Sequence, residues 1–202
     1  MGIYLFYGFF LAVIGFIAPA MLNMTTVRTS IDQGRNAGFL FAMGASLVNS
    51  IQSLVAFAFL RFLDSNPDVI EWLKRLGVIV LFSLAYFFYQ QSKKIISTKE
   101  NVDQKHPFVL GLLLSSINML ALPYYFTAAL ALEASGQITA IPPNIYFMSV
   151  GVLLGGFLMF SIYSILADVV ARKSEFITRN LNIMLSTLFT ILGLAVLVDL
   201  VF

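Results

Sequence analysis

The stretch IYLFYGFFLAVIGFIAPAMLNM, residues 3–24, decides how this chain is read. It carries no charged side chain, and its one proline, Pro19, lies near its far end. A helix rises about 1.5 Å per residue and the hydrocarbon core of a bilayer is about 30 Å thick, so such a run is long enough to cross. In lipid the backbone must satisfy its own hydrogen bonds, which makes the run helical. Working outward, five more stretches have the same character, at about 38–60, 71–91, 107–131, 145–167 and 180–202. The fold class expected is an all-α membrane protein of six transmembrane helices, forming a single transmembrane domain over 1–202.

The composition agrees. Of 202 residues, 59% are hydrophobic and 11% charged, and the mean hydropathy is +0.91. A soluble domain is about 25% charged, so an ordinary soluble globule and a disordered chain are both excluded. A net charge of +2 offers nucleic acid nothing to bind. With no Cys and a single His, His106, the chain has no disulfide framework and no thiolate or histidine metal site, and no cofactor is expected. There is no Ser with a His in a neighbouring span and no pair of carboxylates on one helical face, so an embedded enzyme is not expected. The start, Met1 to Phe6, has no basic n-region and is read as the beginning of a retained span.

Lys and Arg resist translocation in short loops. The first loop holds Arg28 and Arg35, the third Lys93, Lys94, Lys99 and Lys105, and the fifth Arg172, Lys173 and Arg179. Only Arg61, Lys74 and Arg75 lie on the other side. This distribution predicts cytoplasmic odd-numbered loops and both termini outside.

Six spans divide at the Lys-rich third loop into repeat 1, about 1–91, and repeat 2, about 107–202, with a cytoplasmic loop at about 92–106. Three spans per half force opposite orientations. Pro19 follows Ile3 by 16 residues and Pro123 follows Pro107 by 16, while Gly34 follows Pro19 by 15 and Gly136 follows Pro123 by 13. Inverted repeats with interrupted first helices are a common plan for secondary transporters. Proline leaves the carbonyl four residues earlier unbonded, so Gly15 and Met119 are the expected free acceptors.

Polar side chains inside spans mark faces that avoid lipid. Ala42, Ser46, Asn49 and Ser53 form one stripe on span two at helical spacing. Ser115, Asn118, Leu122 and Tyr125 do so on span four, and Ser161, Ser164 and Asp168 on span five. Gly151-x-x-x-Gly155 reads first as a helix-packing face and leaves a homodimer open. No Lys or Arg lies at the centre of a span. Asp168 is therefore the candidate for a coupling group.

The run Pro19-Ala20-Met21-Leu22-Asn23, then Arg28, Gly34-Arg35-Asn36-Ala37-Gly38 and Gly44, resembles the lysine exporter (LysE/RhtB) family of bacterial amino-acid exporters. In that family an Arg, a Gly-Arg-x-Ala-Gly loop and a later Gly follow the first Pro of a Pro-Gly-Pro turn, and here Arg28, Gly34, Gly38 and Gly44 follow Pro19 by 9, 15, 19 and 25 residues. Leu76-Gly77, Tyr86 and Phe108-x-x-Gly111 followed by Asn118 are similar to the family's third and fourth helices. Ala20 and Met21 stand where the family has Gly and a second Pro, and Met119 and Leu120 where it has Pro and Lys. The resemblance implies a multi-pass protein of the bacterial cytoplasmic membrane that exports a small polar or zwitterionic solute, an amino acid or derivative. The partners expected are that solute and the lipid bilayer. The residues expected around the substrate are Pro19, Asn23, Ser46, Asn49, Asn118, Pro123 and Tyr125, with Arg28, Gly34, Arg35, Gly38 and Gly44 forming a structural loop region. The alternatives are a non-transporting membrane scaffold and an inorganic-ion exporter of the same superfamily.

Overall fold

The computed structural model describes residues 2–18, 20–62, 106–118 and 120–171, the backbone of 63–64, and single helical positions between 78 and 93 and between 183 and 198. Pro19, Met119, Leu76-Gly77, the Lys-rich loop beyond Lys93, Asp199 and most of the predicted spans three and six lie outside the described residues. The chain forms two compact units, Met1–Phe62 with Val102–Arg172, and Leu63–Asn101 with Lys173–Phe202. In the first unit the helices are α1 (Gly2–Phe16), α2 (Met21–Gln33), α3 (Arg35–Asp64), α4 (Pro107–Ile117), α5 (Ala121–Ala134) and α6 (Asn144–Ile165).

Predicted spans one and four are each broken. The axis turns by 77° between α1 and α2, and by 64° between α4 and α5. The first interruption occupies 17–20. The second occupies 118–120, just ahead of Pro123, whose ring and missing N–H forbid the helical bond to residue 119. This break corrects the continuous stripe expected on span four, because it shifts the helical phase. Ser115 and Tyr125 are buried, whereas Leu122 is exposed. By contrast, α3 and α6 are unbroken. Arg35–Phe62 and Asn144–Ile165 are each long and apolar enough to cross a membrane, and each bent pair passes the same test as one span.

The expected loop around Gly34 and Arg35 is also corrected. α2 runs to Gln33 and α3 starts at Arg35, so the connection is Gly34 alone. At φ 90° this residue occupies a region where a β-carbon is strained, which is why glycine can make a one-residue reversal. Arg28 lies on α2, in an exposed 3.4 Å ion pair with Asp32, and Gly38 and Gly44 are helical positions of α3.

Two pairs of helices pack in parallel, with backbone against backbone. A β-carbon at Gly8 of α1 would overlap the carbonyl oxygen of Met148, and one at Gly151 of α6 would overlap that of Leu5 and crowd the amide of Phe9. A β-carbon at Gly111 of α4 would overlap the carbonyl of Phe41, and one at Gly44 of α3 that of Phe108, beside the amide of Leu112. The two contacts are equivalent residue by residue. Adding 103 carries Leu5, Gly8 and Phe9 onto Phe108, Gly111 and Leu112, and adding 107 carries Phe41 and Gly44 onto Met148 and Gly151. Small residues permit such approaches in membranes, where dispersion and hydrogen bonding replace the hydrophobic drive. Gly151-x-x-x-Gly155 is therefore covered by α1 of the same chain, Gly155 lying against Phe9 and Ala12.

Helix faces are patterned opposite to those of a soluble bundle. On α3 the stripe Ala42, Ser46, Asn49 and Ser53 is fully buried, while Met43, Leu47, Ile51, Val55 and Phe59 face outward. An apolar cluster of Phe57, Leu60, Tyr125, Ala129, Met148 and Val152 takes in Ile138 and Ala140 of the connection between α5 and α6. Glu133 Oε1 fastens that connection by accepting from the amide of Ala140 at 3.0 Å.

In the second unit, hydroxyls bond back one helical turn, Ser83 to Ile79, Thr187 to Ile183 and Thr190 to Ser186. Its two stretches meet where the Ser186 hydroxyl donates to the carbonyl of Ala85 at 2.8 Å.

Candidate functional site

The two breaks lie side by side. α1 packs against α5, where the Tyr124 hydroxyl donates to the Leu11 carbonyl at 2.7 Å, and α2 packs against α4. Leu22 of α2 shares an apolar cluster with Phe41 and Ala45 of α3 and with Leu110 and Leu114 of α4. An interrupted helix leaves carbonyls without their usual partners, and in hydrocarbon each such group costs several kcal/mol. The site follows from how this chain covers them.

At the first break, Asn23 Nδ2 donates to the carbonyls of Phe16 at 3.0 Å and Ala18 at 2.6 Å. The Tyr163 hydroxyl, from α6, donates to the carbonyl of Ile17 at 2.8 Å. At the second break, Gln52 Nε2, from α3, donates to the carbonyls of Ser115 at 3.1 Å and Asn118 at 3.4 Å. One turn below, Asn49 Nδ2 donates to the Ala45 carbonyl at 2.9 Å and to Ser115 Oγ at 3.0 Å, and Ser115 Oγ donates to the same carbonyl at 3.1 Å. Each long helix thus reaches across to cap the break in the other half of the chain.

Among the described residues, the buried side-chain atoms without a hydrogen-bond partner are Asn23 Oδ1, Asn49 Oδ1, Gln52 Oε1, the Tyr125 hydroxyl and Ser161 Oγ. Tyr125 is held edge-on to Phe57, with ring centroids 6.2 Å apart. Between the breaks, α3 and α6 cross where Ser46 faces Gly156, and the Ser50 hydroxyl donates to the Ser149 carbonyl at 2.7 Å.

From the first break a polar seam follows α2. Asn23, Thr26 and Ser30 are buried at helical spacing, and the hydroxyls of Thr26 and Ser30 bond back to the carbonyls four residues earlier. With that proton committed, Ser30 Oγ accepts from Ser164 Oγ of α6 across 2.7 Å. Gly38 lies directly beneath, where a β-carbon would overlap both hydroxyls.

Of the residues expected around a substrate, Asn23 belongs to the first break, and Asn49, Asn118 and Tyr125 surround the second. Asn118 is the C-cap of α4, and Ser46 lies at the helix crossing. Pro123 is exposed on the first turn of α5, and Asp168 is exposed beyond the end of α6. Sequence reasoning missed Gln52, Tyr163 and the seam on α2. Gln52 follows Asn49 by three residues and was recoverable from that spacing; Tyr163 carried no polar signal among the aromatic residues of span five. Among the described residues no group of three or more His, Cys, Asp or Glu could hold a metal ion.

No curated protein and no solved structure matches this chain. The LysE type translocator family model does match, over residues 13–200, which includes both breaks, α3, α6 and the predicted third and sixth spans. The chain belongs to the LysE type translocator family, as a multi-pass membrane protein of a transporter family.

Proposed function

We propose that this chain is a secondary exporter of a small polar or zwitterionic solute, an amino acid or close derivative, built as two inverted three-helix repeats in the bacterial cytoplasmic membrane. The observation that carries the reading is the pair of side-chain-capped breaks among apolar helices, whose capping amides Asn23 and Gln52 each keep an unpartnered buried oxygen. Scaffolding does not require such atoms, whereas a solute path does, because the solute completes their hydrogen bonding. The inverted repeat is supported by the equivalent glycine contacts of α1 with α6 and of α4 with α3. It is also supported by the make-up of the units, since each takes corresponding parts from both halves of the chain.

In this reading the solute binds between the breaks, near Asn23, Asn49, Asn118 and Tyr125, with Pro19 and Pro123 imposing the interruptions. The α2–α6 seam is the cytoplasmic end of the path, held shut by Ser30 and Ser164. Asp168 is retained as the coupling candidate. The test is counterflow in proteoliposomes over a panel of amino acids. A transporter gives saturable, solute-dependent exchange; a scaffold gives none, and that result overturns the proposal.

A further inference from the structure

The three amides at the breaks, buried at Asn23 and Asn49 and half-buried at Gln52, share one polarity. Asn23 and Gln52 each direct their nitrogen at two backbone carbonyls, and Asn49 directs its own at the Ala45 carbonyl. A backbone carbonyl only accepts, so these partners fix which end of each amide is nitrogen. The oxygens left over, Asn23 Oδ1, Asn49 Oδ1 and Gln52 Oε1, are all buried and unpartnered. Each amide therefore consumes its donors inside the protein and presents an acceptor.

The surroundings add to this negative character. Phe16 to Ala18 and Ser115 to Asn118 are the C-terminal ends of α1 and α4, where the helix dipole is negative. An amide whose N–H groups cap those carbonyls has its own dipole aligned with them, so its oxygen is the outer negative pole. No Lys, Arg, Asp or Glu is among the buried residues described, so the polarity argued here is that of amides and helix ends. The Tyr125 hydroxyl can donate or accept and does not set the sign.

We infer that the cargo is held by a protonated amino group, received at the second break by Asn49 Oδ1 and Gln52 Oε1, which lie one turn apart on α3, and that its carboxylate is dispensable for binding. The inference rests on the transporter reading and deepens it. An ammonium group can donate to several acceptors at once, which suits two amide oxygens with no other partner. An alkali-metal ion shares the attraction to such oxygens, so the test separates the two.

Purified protein in nanodiscs is titrated with alanine, leucine and lysine, each as the free amino acid, the methyl ester and the N-acetyl derivative, and with sodium chloride against choline chloride, reading the thermal midpoint. The expected result is a saturable rise with a free amino acid and its ester, none with the N-acetyl derivative, and no sodium effect beyond that of choline. Gln52→Met, close in shape but without the acceptor or the donor that caps the break, should weaken the apparent affinity for the ester at least tenfold. Binding of the N-acetyl derivative in place of the ester, a sodium-specific rise that excludes the ester, or no response to any of the amines would each overturn the inference. The comparison of ester with N-acetyl derivative needs no variant, so a Gln52→Met protein that fails to fold leaves the test intact. Saturable counterflow of a solute without an amino group would refute this inference while leaving the transporter reading standing.

Discussion

Single residues in this chain act mainly by what they lack or leave over. Gly8, Gly44, Gly111 and Gly151 matter because they have no β-carbon where a neighbouring backbone passes. Gly151→Ala puts a methyl onto the Leu5 carbonyl and forces α1 away from α6. Overpacking of this kind costs about 1–3 kcal/mol, and it should appear as a lower thermal midpoint in detergent. Gly156→Ala is the matched control, since its β-carbon would stand 3.5 Å from Ser46 Oγ and 3.6 Å from the Phe16 ring, at ordinary contact distance. An equal loss in both variants would contradict the packing account. Asn23, Asn49 and Gln52 matter for the opposite reason, because capping the breaks uses their nitrogens and leaves their oxygens available. The amides at Asn23 and Asn49 were legible in the sequence as polar groups at depth in apolar runs. Their polarity was not, since the chemistry of an amide depends on which partner each end finds.

At the scale of elements, the chain contrasts broken helices with continuous ones. The sequence analysis located both interruptions through Pro19 and Pro123, because proline acts through local backbone geometry that is written in the chain. It placed Asn118 and Tyr125 on one continuous stripe, which the 64° turn between α4 and α5 divides. A periodicity argument assumes a constant 3.6-residue turn, and a break removes that assumption. The α2 helix was hidden for a related reason. MLNMTTVRTSIDQ is too polar to read as a span and too rich in Thr, Ser and Asn to read as a strong helix former. Its hydroxyls bond within α2 itself, and its stability comes from packing on α4 and α6, which only the tertiary structure supplies. Conversely, the loop inferred around Gly34 and Arg35 shrank to a single residue. Glycine at φ 90° makes the reversal, and the Arg that follows is an ordinary helix start.

For the whole molecule, low charge is a mechanistic constraint as well as a sign of lipid. The buried residues described include no ionised side chain, and in the proposed function recognition falls to amides, hydroxyls and the ends of half-helices. Cations concentrated in the odd-numbered loops predict that a reporter fused to either terminus is inaccessible from the cytoplasm; labelling from that side would reverse the proposed orientation. In the proposed export cycle the α2–α6 seam opens towards the cytoplasm and closes again. Ser30 and Ser164 meet at 2.7 Å across this seam, and the chain has no Cys, so a Ser30→Cys, Ser164→Cys pair places the protein's only two thiols where a disulfide can form. The measurement is amino-acid counterflow by this double variant in proteoliposomes, oxidised and then reduced, beside each single variant. The account predicts that oxidation abolishes exchange in the double variant alone and that a reductant restores it. Full exchange by protein shown to be cross-linked would contradict a path that opens between α2 and α6.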